Sequence, residues 1–119
     1  MSTTGSKSAE KLPSDRASSL SALIEVAEGS IVSRVLARTE GGSVTLFAFD
    51  GGQGLSEHTA PFDALVQLLD GALELTIGGE QVALGRSEIV RMPAGVPHAL
   101  RATEPSRMLL TMLRDAKGE

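Results

Sequence analysis

Turn residues punctuate this chain at short, regular intervals, and no other feature constrains its fold as much. From Gly29 onward, short apolar runs alternate with Gly29-Ser30, Gly41-Gly42, Asp50-Gly51-Gly52-Gln53-Gly54, Asp70-Gly71, Gly78-Gly79 and Pro93. Turn signals spaced roughly eight to twelve residues apart predict an all-β sandwich or barrel. The expected strands occupy residues 31–38, 43–49, 56–59, 62–69, 72–77, 80–84, 88–92, 98–103 and 108–114. Gly78-Gly79 lies between two of these runs and predicts a hairpin, because the primed turns that suit twisted strands need positive φ. No helical period of useful length appears between Ile31 and Leu113. A double-sheet jelly roll houses this many short antiparallel strands economically.

Length and composition narrow the function classes. A chain of 119 residues supports one hydrophobic core. Residues 1–19 are rich in Ser, Thr and charge, and are read as a flexible tail; residues 20–119 form the single barrel domain, opening with a short strand or helical turn over 20–26. The absence of cysteine excludes disulfides, thiolate metal sites and Cys nucleophiles. A net charge of −4 and the lack of Trp and Tyr argue against a nucleic-acid partner. No run approaches the ~20 apolar residues of a membrane span, and no apolar leader core opens the chain. A cytoplasmic location is expected.

Chemistry concentrates at the only two histidines, His58 and His98. Gly52 precedes His58 by five intervening residues, and Gly71 follows; Pro93-Ala94-Gly95-Val96-Pro97-His98 forms a second constellation. Together these segments resemble the paired motifs of the cupin superfamily of small RmlC-like conserved barrels. The resemblance covers residues 52–102 and implies a double-stranded β-helix, that is, a cupin-type jelly-roll barrel. In metal-binding cupins three histidines and a glutamate converge on one ion. Here the second histidine position is Ala60 and the glutamate position is Ala64; the opening glycine of the second motif is Ser87 and its closing asparagine is Ala102.

The resemblance therefore implies an incomplete metal-ligand set, His58 and His98, with Asp63 as a candidate extra ligand. Imidazole suits divalent Fe, Ni, Zn, Cu or Mn, or the site holds no metal at all. A catalytic zinc usually has three protein ligands and an open position, so two imidazoles alone fall short. Inward parity predicts a pocket lined by Ala60, Ala64, Val66, Leu68, Val90, Met92 and Leu100, most of which would serve equally as core. Met108 and Met112 are read as packing residues. Arg91, Arg101 and Arg107 are read as solvated, with one of them at the barrel mouth able to pair with a carboxylate. The leading expectation is a barrel that binds a small molecule, with a metal at the two histidines. A metal-dependent dioxygenase, isomerase or decarboxylase acting on a small organic acid, sugar or phenolic is one alternative. A non-catalytic metabolite binder, or a purely structural barrel, is the other. A homodimer is the expected assembly.

Overall fold

The structure is a computed structural model that describes residues 12–114. Nine strands follow one 3-10 turn at Leu20–Ala22: β1 Ile31–Thr39, β2 Gly42–Phe49, β3 Gly54–His58, β4 Asp63–Asp70, β5 Leu73–Ile77, β6 Glu80–Leu84, β7 Ile89–Met92, β8 His98–Ala102 and β9 Ser106–Leu113. Each expected strand is present, with ends displaced by a residue or two. Gly78 and Gly79 take φ of 58° and 83°, as a primed hairpin turn between β5 and β6 requires.

The strands form two antiparallel sheets. One runs β1-β2-β9-β4-β7 and the other β3-β8-β5-β6. Side chains on a strand alternate between faces, so the register sorts the five-stranded sheet into two apolar surfaces. Phe49, Ala64, Val66, Leu68, Met92 and Met108 point inward and meet Leu73, Leu75, Leu84, Leu100 and Ala102 from the four-stranded sheet. This is the barrel core, and it contains the stacked rings of Phe47 and Phe49, with centroids 5.7 Å apart.

Leu46 and Ala48, on the opposite face of β2, belong to a second cluster with Leu36 and Ile24. Leu20, Leu23 and Val26 pack against it. The segment around residues 20–26 therefore covers the outer face of its own chain's five-stranded sheet. Two arginines hold it there: Arg34 Nη1 donates to the Leu23 carbonyl at 3.2 Å, and Arg107 Nε donates to the Ile24 carbonyl at 3.0 Å. Arg107 also pairs with Asp70 at 3.1 Å. Of the segment read as a tail, residues 1–11 lie outside the described residues. At its far end the Leu12 amide donates to the Leu36 carbonyl of β1 at 3.0 Å.

Candidate functional site

His58 ends β3 and His98 begins β8, and the two are direct cross-strand partners. Local irregularity in β3 makes this pairing. Leu55 faces Leu100 and His58 faces His98, so three steps on β3 match two on β8. The extra residue is a β-bulge, which re-aims the side chain that follows it. Without it, Glu57 would stand opposite His98. His98 is set by the turn before it: Gly95 takes φ of 76°, its amide donates to the Ala60 carbonyl at 2.8 Å, and the Gly78 amide donates to the Pro97 carbonyl at 2.8 Å. The Ala60 bond ties the turn before β8 to the chain just after β3.

The two imidazoles meet edge to face, with Nε2 atoms 3.2 Å apart and ring planes at 73°. Each Nδ1 faces a backbone carbonyl two residues back: Ser56 at 2.9 Å for His58, Val96 at 3.1 Å for His98. A carbonyl can only accept, so both Nδ1 atoms carry the proton. In the neutral rings both Nε2 lone pairs then face each other across the gap. Such a pair is repulsive until a metal ion that accepts both lone pairs lies between them. His98 is buried while His58 remains exposed, so the pair sits at the edge of the interior. Burial pushes the His98 pKa below its usual value; the Val96 carbonyl opposes that shift, and repulsion from His58 adds to it.

A cavity opens at the pair, lined by Leu55, Ala60, Ala64, Met92, Leu100, Met108, Leu110 and Met112 as well as the two histidines. It offers about 50 Å³ to the centres of water molecules, room for a few waters or one ion rather than a whole organic ligand. Of the expected lining, Ala60, Ala64, Met92 and Leu100 are present. Val66, Leu68 and Val90 are not: Val66 and Leu68 are completely buried in the core, and Val90 packs against it. The space runs instead along β9, where inward parity selects Met108, Leu110 and Met112. That alternation is visible in the sequence, but Met108 and Met112 are read there as packing alone.

Asp63 is not placed to join the histidines. Strand β4 stays in regular register through Asp63 and Ala64, so when Ala64 points inward its neighbour points out. One Asp63 oxygen accepts from the Ala94 amide at 2.8 Å and the other pairs with Arg91 at 3.2 Å. The carboxylate clamps the Pro93–Pro97 turn. Among the described residues no group of three or more His, Cys, Asp or Glu side chains is arranged around one point. Arg91 and Arg101 are exposed, as expected, whereas Arg107 is partly buried. Arg91 serves Asp63, Arg101 lies 3.9 Å from Glu74, and Arg107 holds the 20–26 segment. A wider recess that shares Met112 with the cavity is lined instead by Arg38, Arg114, Thr39, Glu40 and Ser43.

Residues 45–113 match the cupin domain family. Among solved structures, the fold is similar to that of a conserved protein of unknown function from Streptococcus pyogenes, with 31% identity, 90% of this chain and 94% of that chain covered, and a TM-score of 0.85. A cupin superfamily protein from Desulfitobacterium hafniense is similar at 29% identity, with coverage of 89% and 97% and a TM-score of 0.83. A cupin 2 conserved barrel domain protein from Leptotrichia buccalis reaches 36% identity over 78% of this chain and 45% of that one, with a TM-score of 0.76. No curated protein matches the chain.

Proposed function

The chain belongs to the cupin family, and on that premise we propose that it is a binding module whose cavity takes one transition-metal ion between His58 and His98. The observation that carries this reading is the pair of opposed Nε2 atoms, 3.2 Å apart, with both Nδ1 protons committed to carbonyls. Two imidazole nitrogens held about 2.0–2.1 Å from one ion at a tetrahedral angle stand about 3.3 Å apart. The bonds from Nδ1 fix the tautomer and ring orientation that metal-ligating histidines need. When bound, such an ion supplies a Lewis-acidic position for a small molecule entering from the His58 side.

Binding is favoured over turnover because, among the described residues, no carboxylate joins the pair to act as acid or base, Asp63 being occupied by Ala94 and Arg91. A second reading, a metal-dependent enzyme acting on a small organic acid, sugar or phenolic, draws support from the exposure of His58, which leaves room for an open coordination position. The same proposal includes a cytoplasmic homodimer, for which Ile31 and Ile89, exposed on the two edge strands of the five-stranded sheet, offer apolar surface.

The test is metal content of untagged protein after reconstitution, for the wild type and for His58→Ala and His98→Ala. Stoichiometric metal in the wild type that both substitutions abolish supports the proposal. Failure of Cu, Fe, Ni, Zn and Mn alike to bind ends it.

A further inference from the structure

We infer that the cavity is built for a soft, monovalent ion, Cu(I), held by the two imidazoles together with methionine thioethers. The inference rests on the reading that His58 and His98 hold a metal, and goes beyond it by naming the further donors and the ion they select.

Three observations carry it. First, the chain has four methionines, and Met92, Met108 and Met112 all line this one small cavity with both histidines. The remaining lining side chains are Leu and Ala, so every side-chain lone pair there belongs to an imidazole or a thioether. Second, register places two of the thioethers at a particular point. Ala64 pairs with Met92 on β7 and with Met112 on β9. Ala64 is the position at which the cupin motif has its carboxylate, so a methionine flanks that missing donor on either side. Third, no carboxylate of the described residues lines the cavity.

The donor set decides the ion. Thioether sulfur is a neutral, polarisable ligand that favours Cu(I) and serves Zn(II), Fe(II) or Mn(II) poorly. Charge acts in the same direction. The Born cost of taking an ion out of water grows with the square of its charge, and neutral imidazoles and thioethers return no countercharge. A monocation is therefore much cheaper to accommodate in this apolar space than a dication. Met92 and Met108 are buried, so they face the cavity rather than the outer surface.

The experiment titrates Cu(I), delivered anaerobically as its acetonitrile complex, against the chromophoric chelator bicinchoninate, with Zn(II) titrated in parallel. X-ray absorption at the copper edge of the loaded wild type reads the donor atoms directly. The expected result is one Cu(I) per chain with both nitrogen and sulfur scatterers, and weak Zn(II) binding. Met92→Leu/Met112→Leu, which conserves volume, is expected to weaken Cu(I) at least about tenfold, the loss that even supporting residues of a metal site can cause. Zn(II) affinity should stay within about twofold, since its nitrogen donors are untouched. A nitrogen-only copper shell, or unchanged Cu(I) affinity in a folded double variant, overturns the inference, leaves the histidine site standing, and returns the methionines to packing. Tighter binding of Zn(II) than of Cu(I) overturns it as well. Should the double variant not fold, the wild-type sulfur scattering alone decides. No binding of Cu(I), Zn(II) or any other ion tested removes the underlying metal site too.

Discussion

His58 and His98 face each other across β3 and β8 with Nε2 atoms 3.2 Å apart, each donating its Nδ1–H to a carbonyl of its own strand or turn. The contact is poor for two neutral rings alone and good for two rings sharing a metal ion. It makes the centre of the barrel mouth sensitive to what occupies the gap.

Protonation of His98 has a consequence for stability of definite sign. The pKa of His98 is lowered in the folded protein, chiefly by burial, so between its folded value and about 6.5 the unfolded chain binds more protons. Its stabilising contribution is present in full above about pH 6.5 and is lost as pH falls through the folded value. Urea midpoints of metal-free protein measured downward from pH 7.5 should fall in that window, and His98→Asn should flatten the fall. A midpoint rising on acidification would contradict the assignment. Asp50, held low by the Gly29 and Gly51 amides, acts in a separate window below the ordinary carboxylate pKa.

Asp63 should prove structural. Asp63→Ala removes the acceptor for the Ala94 amide and the partner of Arg91, and should cost about 1–2 kcal/mol. Asp63→Asn keeps an oxygen for Ala94 and loses only a largely exposed ion pair, so it should cost under about 0.5 kcal/mol. Denaturant unfolding of both variants checks the contrast, and metal affinity should be unaffected in Asp63→Asn. Equal losses in the two variants would place the stabilisation in the ion pair instead.

Ser87 stands where the cupin motif opens its second segment with glycine, and its φ is 69°. A left-handed conformation costs a non-glycine residue roughly 1–2 kcal/mol, and glycine returns part of that as extra freedom in the unfolded chain. Ser87→Gly should therefore raise stability by about 0.5 kcal/mol, read as an increase in urea midpoint at unchanged slope.

Ile24, within the 20–26 segment, is 5% exposed and packs on Leu36, Leu46 and Ala48. If that segment seals the outer face of the sheet, Ile24→Ala should cost about 2–4 kcal/mol, the usual penalty for emptying a packed aliphatic site. A loss below about 0.5 kcal/mol would mean the segment contributes little to the fold.

Much of the architecture was legible in the residue pattern, and for identifiable reasons. Glycine pairs and Asp-Gly steps impose turns locally, so the nine strands could be placed without knowledge of their partners. The motif around Gly52, His58, Gly71 and Pro93 to His98 is equally local and pointed to the barrel. Gly71 shows why such positions are demanding: its φ is 95°, and a Cβ there would collide with Ser106 and the Pro105 carbonyl.

What the sequence by itself determined was the strand set, the jelly-roll class, and the two imidazoles as the candidate centre, because turn propensity and motif spacing are properties of neighbouring residues. Tertiary structure alone decided which side chains join that centre. A single bulge in β3 presents His58 rather than Glu57, and the regular register of β4 turns Asp63 away. Cross-strand pairing, not chain proximity, brings Met92 and Met112 to either side of Ala64. Since strand parity reverses with each one-residue shift, the difference between a carboxylate site and a thioether-lined one rests on register, which is fixed only when the two sheets close.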